Sequence, residues 1–207
     1  MRLVVLAESS ADEAAIRILT EAIRGPGVID WVEQPKFRSR GWPAVLRENL
    51  PVVIRYAHYQ TDARAVIAVA DTNNSILHTA AHTGHPNPDC RLCALQTAAQ
   101  TILTQVTPVP GRPALSVALG VATPAIEAWY VCGNQPHPSE QKWIAGGARG
   151  YDNQSLKRAA YGVDRPGLGL MTQVAEMQAR RLAGNLGLLR KDFPRGYGAL
   201  ETDVLGL

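Results

Sequence analysis

Residues 3–8 read LVVLAE, a continuous apolar run that ends in an acid. Apolar side chains without alternation are typical of a strand that is buried on both faces, as in a parallel sheet. Two later runs have the same character: AVIAVA at 65–70 and LSVALGV at 115–121. Helical patterns separate these runs, and such an alternation of strands and helices predicts an α/β sandwich.

An acidic residue stands at or shortly after the end of each run. These acids are Glu8, Asp71 and Glu127. The carboxyl ends of parallel strands line up along one edge of a sheet, where ligands bind in open α/β folds. We therefore expect the three acids to meet at that edge. The alternative for each acid alone is a helix cap or a solvent-facing side chain, because helix N-termini favour negative charge.

The composition is that of a globular chain. Of its 207 residues, 46% are hydrophobic and 19% are charged, and the formal net charge is +3. These values argue against a disordered or fibrous protein, and they permit nucleic-acid binding without requiring it. No apolar run has the length of a membrane span, and we find no leader segment, so we expect a cytoplasmic protein that does not engage a membrane.

Local patterns place the remaining elements. Ser10 and Glu13 have the spacing of a capping box at the start of the first helix. Pro51 is expected to break or restart the second helical region. We predict a core at 1–132 and a helical C-terminal extension, packed on the core, at 133–207. The expected strands are 3–7, 28–32, 65–70 and 114–121, and the expected helices lie near 14–23, 42–59, 89–106, 154–160, 169–184 and 196–203.

The acid positions suit phosphoryl chemistry on nucleic acid. Such chemistry needs a divalent ion that is held by few protein oxygens, so that water and substrate can occupy the other positions. A separate carboxylate can assist proton transfer. Glu8, Asp71 and Glu127 could supply these parts, with Mg²⁺ or Mn²⁺ as the cofactor.

Five segments of the chain together form a recognisable pattern: RLVVLAE at 2–8, the strand end at Asp71, EAW at 127–129, LKRAAYG at 156–162 and FPRGY at 193–197. A buried strand that ends in Glu, followed by a helix and a later strand that ends in an Asp-x-Asp-like pattern, resembles the toprim domain of topoisomerases, primases and a group of defence nucleases. More narrowly, the chain is similar to the toprim-like family catalogued as domain of unknown function 4276, which is related to OLD-type nucleases.

The resemblance implies a toprim-like, Rossmann-like fold: a mostly parallel sheet with helices on both faces and a helical C-terminal extension. It also implies a metal-dependent nuclease that acts in anti-phage defence beside an AAA-type ATPase partner. In that interpretation Glu8 is a general acid/base or a metal ligand. Asp71 and Asn73 bind Mg²⁺, and Glu127 is a third ligand or orients one.

Two residues depart from the family pattern. Ser9 follows Glu8 where toprim domains usually have Gly, and Asn73 replaces the second acid of the Asp-x-Asp pair. Asn offers a neutral oxygen, so the site carries one negative charge fewer and metal affinity is expected to be lower. An alternative function is therefore a catalytically degenerate module that binds nucleic acid or docks on an ATPase.

A second group of candidate ligands lies between the second and third apolar runs. His82-x-x-His85 with Cys90-x-x-Cys93 supplies four ligands of the type that tetrahedral Zn²⁺ takes, although the two pairs are closer in sequence than in ordinary zinc fingers. This pattern allows a zinc-stabilised interaction module as a further alternative. The competing interpretation is a polar loop with histidines at the active edge and cysteines in the core.

Basic residues beside aromatic ones suggest a nucleic-acid surface. Cations contact phosphates, and aromatic side chains can stack on unpaired bases. The same residues could equally be solvated loops with anchoring aromatics. The candidate contacts are Lys36, Arg38, Arg40, Lys142 and Arg149.

Overall fold

The computed structural model describes residues 1–37, 41–134, 137–146 and 152–207. At its centre is a four-stranded sheet in the order β2-β1-β3-β4, and all three pairs of neighbouring strands are parallel. The predicted α/β fold with a parallel sheet is confirmed. The strands are β1 (Arg2–Leu6), β2 (Asp30–Trp31), β3 (Ala65–Asp71) and β4 (Ser116–Ala122).

Helices make up most of the rest of the chain. Within the described ranges, none of them is both long and apolar enough to cross a membrane. A π-helical turn at Val45–Asn49 joins α2 to α3, and a 3₁₀ turn lies at Ala80–His82. The α-helices are α1 (Ser10–Arg24), α2 (Trp42–Ala44), α3 (Leu50–Gln60), α4 (Arg91–Gln105), α5 (Ile126–Tyr130), α6 (Glu140–Gly146), α7 (Asn153–Tyr161), α8 (Leu168–Ala183), α9 (Leu186–Asp192) and α10 (Tyr197–Leu205).

Two apolar layers cover the two faces of the sheet. Successive side chains of a strand point to opposite faces, so Leu3 and Val5 enter one layer while Val4 and Leu6 enter the other. The first layer is completed by α1, α8 and α10, and the second by α3 and α4. Helices therefore lie on both faces, as predicted, and two of them come from the region predicted as the C-terminal extension.

The local predictions hold in part. The helix restarts at Leu50, next to Pro51. Proline has no backbone N–H, but no hydrogen bond is lost here, because the N–H groups of the first turn have no partner within the helix. The capping box at Ser10 and Glu13 was wrong: Ser9 is the N-cap, and its hydroxyl accepts a hydrogen bond from the backbone N–H of Asp12 at 3.2 Å. Helices α6 and α9 were not predicted.

Candidate functional site

Glu8 and Asp71 meet at the carboxyl edge of the sheet. Strands β1 and β3 are neighbours with Leu6 beside Ala68, so the residues that follow them emerge at the same edge. Glu8 Oε1 accepts a hydrogen bond from the Asp71 N–H at 2.9 Å. Asp71 Oδ1 in turn accepts one from the Ile126 N–H at 2.9 Å, where α5 begins. Two hydrogen bonds thus join the three acid-bearing segments.

Glu127 lies in the first turn of α5 and is only 4% exposed. The Tyr161 hydroxyl donates to its Oε1 at 3.3 Å. The positive charge of Lys157 lowers the pKa of the Glu127 carboxyl, while the negative charge of Glu8 raises it. The structure therefore places Glu127 within electrostatic range of Glu8 and Asp71, on the same edge of the sheet.

A fourth acid, Asp12, belongs to this edge and was missed by sequence reasoning. It lies in the first turn of α1, is 8% exposed, and accepts hydrogen bonds from the hydroxyls of Ser9 at 2.7 Å and Tyr130 at 3.2 Å. The sequence offered one indication: Asp12 follows Glu8, the acid that ends the first apolar run, by about one helical turn. The capping-box prediction had assigned the polar contacts at the start of this helix to Ser10 and Glu13, and not to Asp12.

Burial raises the pKa of all four carboxyls, and repulsion by neighbouring acids raises it further for Asp12, Asp71 and Glu127. Burial is the largest cause for each, and it raises the pKa of Asp12 to about 7. The pKa of Asp71 is raised well above its usual value, first by burial and then by the charges of Glu8, Glu127 and Asp12. A bound cation would relieve this repulsion, because an opposite charge favours the ionised carboxylate.

Arg91 is the basic side chain that touches this edge. Its guanidinium donates to the backbone carbonyl of Asp71 at 2.6 Å and lies 3.7 Å from Glu8 Oε1. It also stacks over the Trp42 ring, 4.6 Å from the centroid. Glu8 accepts a further hydrogen bond from the Trp42 backbone. The Glu8 carboxylate therefore contacts three neighbours, and sequence reasoning did not single out Arg91.

Asn73 occupies the turn after β3 with a φ of 47°, a left-handed conformation that Asn tolerates better than most residues. Its backbone N–H donates to Pro124 at 2.6 Å. Its side-chain Oδ1 accepts a hydrogen bond from Asn153 Nδ2 at 2.6 Å. Asn73 thus links the strand end to the start of α7.

The tightest set of potential metal ligands is not acidic. Among the described residues, one group of His, Cys, Asp or Glu side chains has its ligating atoms within 4.8 Å of one another: His78, His82, Cys90 and Cys93. It differs from the set predicted from spacing, since His78 takes the place of His85, which is exposed. The spacing favoured His85, but the loop folds back and brings His78 to the cysteines.

The four side chains of this cluster lie close together. His78 Nδ1 lies 3.4 Å from Cys93 Sγ and 3.7 Å from Cys90 Sγ. The rings of His78 and His82 are in edge contact, with centroids 5.3 Å apart. Burial, and then the nearby His82, lower the pKa of His78. Both effects favour the neutral imidazole, which is the form that can bind a metal ion.

The predicted nucleic-acid residues can be placed only in part. Lys36 and Lys142 are exposed, and Lys142 Nζ donates to the His137 carbonyl at 2.6 Å. Arg38, Arg40 and Arg149 lie outside the described residues.

A separate cavity of about 400 Å³ lies at the opposite, amino-terminal edge of the sheet and includes Arg2 and Arg112. Arg64 also lines it, and two of these three arginines already have partners: Arg2 pairs with Asp30 and Asp62, and Arg112 donates to the carbonyls of the segment that ends α3. This cavity contains none of the four clustered acids, so the carboxyl edge is the better candidate site.

No family model matches the chain, and neither the curated proteins nor the solved structures contain a significant match.

Proposed function

We propose that the acidic edge is the active site of a divalent-cation-dependent nuclease that cleaves phosphodiester bonds in DNA or RNA. One observation carries the proposal: the carboxyls of Glu8, Asp12, Asp71 and Glu127 repel one another at the carboxyl end of a parallel sheet. Arg91 acts as an opposing charge on Glu8, and Lys157 acts as one on Glu127. Such an excess of negative charge in a partly buried place costs stability unless a cation offsets it.

The donor set fits Mg²⁺ or Mn²⁺. All the side-chain donors are oxygens, which hard cations prefer, and Mg²⁺ is commonly held by one or two carboxylates while it keeps several waters. Asp71 is the residue that we assign to hold the ion, together with Glu8 or Glu127. When bound, the ion supplies charge neutralisation at the phosphate and lowers the pKa of a coordinated water.

The chain's own residues supply the remaining chemistry. A carboxyl whose pKa lies near neutrality can take or give a proton at working pH, and Asp12 meets this condition with a pKa of about 7. Arg91 offers a guanidinium, which pairs well with phosphate oxygens. Glu8 positions Asp71 and Arg91 through its contacts with both.

The anti-phage role and the AAA-type ATPase partner rest on the resemblance to the toprim-like family. They belong to the proposal as the expected context of the nuclease, together with cytoplasmic location.

The experiment is a cleavage assay on single- and double-stranded DNA and RNA in Mg²⁺ and in Mn²⁺, with and without the ATPase. Asp71→Asn keeps the side-chain shape and an oxygen that can accept from Ile126, but it removes the charge. We expect the cleavage rate to fall by about 100-fold or more, as when one electrostatic group is removed from an active site.

The matched control is Asp203→Asn. Asp203 is also a partly buried aspartate that accepts a backbone N–H, that of Leu119 at 3.1 Å, but it lies in α10 away from the acidic edge. This variant should cleave at the wild-type rate. Equal activity in Asp71→Asn and wild type would exclude the acidic edge as the active site.

A second candidate function is a non-catalytic module that binds nucleic acid or an ATPase. Asn73 favours it, because an amide stands where the toprim pattern has an acid and its oxygen is engaged with Asn153. Binding of this kind should weaken steeply with salt, since phosphate contacts dominate it. Binding without cleavage under every metal condition would support this candidate over the nuclease.

Asn73→Asp separates the two functions. In the nuclease, the new carboxylate adds charge beside a hard-cation site, so the Mg²⁺ dissociation constant should fall several-fold. Isothermal titration calorimetry with Mg²⁺ measures this, and Asn74→Asp, at the neighbouring exposed position, is the control. No difference in Mg²⁺ affinity between Asn73→Asp and wild type would place Asn73 outside the metal site.

A further inference from the structure

The β3–α4 loop, residues 72–90, lacks an apolar anchor along most of its length. Among the described residues, no side chain between Asn73 and Asp89 belongs to either apolar layer. The backbone hydrogen bonds inside the loop are local and close short turns, as in His82 to Thr79 and Cys90 to Asn87. The polar loop nevertheless converges on one point, where two of its three histidines, His78 and His82, meet the cysteines at the start of α4.

We propose that His78, His82, Cys90 and Cys93 form a structural Zn²⁺ site that fixes this loop to α4. In a tetrahedral site with Zn–N near 2.0–2.1 Å and Zn–S near 2.3 Å, a nitrogen and a sulfur lie roughly 3.5 Å apart. The distances from His78 Nδ1 to the two sulfurs, 3.4 and 3.7 Å, match this value.

Two features show that three of the four side chains are available as ligands. His82 Nδ1 is buried and has no hydrogen-bond partner, which is costly for a polar atom unless a ligand occupies it. Cys90 and Cys93 are buried free thiols, 1% and 2% exposed, so neither is committed to a disulfide. The Cys90 side chain makes no capping hydrogen bond at the start of α4.

The chemical types of the four ligands indicate which metal ion binds. Two thiolates and two imidazoles in a tetrahedral arrangement are the ligands of structural zinc, whereas Mg²⁺ and Ca²⁺ take oxygen ligands. Four protein ligands close the coordination sphere, so the site is structural and leaves no position for substrate. It is therefore chemically distinct from the oxygen-lined acidic edge.

The zinc site also has a consequence for that edge. Arg91 lies between the ligating cysteines, and its guanidinium reaches the Asp71 carbonyl and Glu8. Zinc that fixes the first turn of α4 thereby fixes the position of the Arg91 backbone. The zinc proposal does not depend on catalysis, because metal content and loop protection are measured without any substrate.

The first test is metal analysis of protein purified without chelator. We expect one zinc per chain by plasma mass spectrometry. After removal of zinc, Co²⁺ should give the intense visible bands of a tetrahedral site with thiolate ligands. Protein that lacks stoichiometric zinc and gives no such cobalt spectrum would overturn the proposal.

Variants identify the ligands. His78→Gln should abolish stoichiometric zinc, and His85→Gln, an exposed histidine in the same loop, should retain it. Cys90→Ser and Cys93→Ser should also lose zinc, but both cysteines are buried and their variants could misfold. The His78→Gln variant is therefore the decisive one, because His78 is partly exposed. Retention of zinc in His78→Gln, or its loss in His85→Gln, would overturn the assigned ligand set.

Hydrogen exchange on the wild-type protein tests the structural role without any substitution. Chelation should increase amide exchange in residues 74–95 and leave α8, on the other face of the sheet, unchanged. Equal exchange of 74–95 with and without chelator would show that zinc does not hold the loop.

Discussion

Raising the pH from about 5 to about 8 should lower the melting temperature of the metal-free protein. Burial raises the pKa of Asp12 from an ordinary 3.8 to about 7 in the folded state. Between pH 3.8 and about pH 7, the folded chain holds more protons at Asp12 than the unfolded chain does, so a rise in pH favours unfolding. Between pH 5 and pH 8, Asp12 alone corresponds to a loss of at most roughly 3 kcal/mol.

The other acids at the edge act in the same direction. The pKa values of Glu8, Asp71 and Glu127 are also raised, with burial as the largest cause. Two kinds of group have the opposite effect: His78, whose lowered pKa acts only below about pH 6.5, and aspartates with lowered pKa values, which act only below about pH 4. Those aspartates are Asp62, Asp152 and Asp164.

The measurement is a series of thermal melts across this pH range, repeated for Asp12→Asn and with added Mg²⁺. Asp12→Asn should flatten the profile and raise the melting temperature at pH 8. Mg²⁺ should stabilise the wild type more at pH 8 than at pH 5, since the ionised carboxylates bind it. A wild-type melting temperature that rises from pH 5 to pH 8 would contradict the electrostatic description of the edge.

Gly196→Ala should destabilise the protein by about 3 kcal/mol or more. A Cβ at this position would lie 2.0 Å from the backbone oxygen of Val121 in β4 and 3.2 Å from Glu140 Oε1. Both neighbours are fixed, because Val121 belongs to the sheet and the Glu140 carboxylate accepts the N–H groups of Arg195 and Gly196 at 3.0 and 2.8 Å. The turn must therefore move away from the strand.

Chemical denaturation measures this loss, and the melting temperature should drop by about 6–12 °C. Gly198→Ala is the matched control, since its Cβ meets nothing closer than 3.9 Å and the residue lies within α10. An Ala in a helix is favoured over Gly, so the control should be neutral or slightly stabilising. A melting temperature for Gly196→Ala equal to that of Gly198→Ala would mean that the turn is not tightly packed.

The segments that carried the family resemblance have identifiable structural roles. FPRGY at 193–197 forms the tight turn beside β4, with Phe193 and Tyr197 fully buried. In EAW at 127–129, Trp129 packs edge-on against Tyr197 with centroids 5.5 Å apart. In LKRAAYG at 156–162, the Tyr161 hydroxyl reaches Glu127. Much of the pattern thus supports the acidic edge rather than supplying its chemistry.

Prediction of position from sequence was good for Glu8, Asp71 and Glu127, because strand ends are readable from apolar runs, while their catalytic and metal-binding roles stay predictions. It was poor for Asp12 and Arg91. Asp12 resembles a helix-capping acid, and Arg91 resembles any basic residue at a helix start. Their roles depend on which element lies across from them, and that is a tertiary property.

The sequence by itself determined the parallel α/β fold and the common edge of the three acids, because the alternation of buried strands and helices leaves few ways to bury every apolar run. Only the tertiary structure decided that His78 rather than His85 joins the two cysteines, and that Arg91 faces Glu8. Loop segments have no hydrophobic period to specify their path. Their path depends on side-chain contacts between residues distant in the chain, so sequence spacing alone does not predict it.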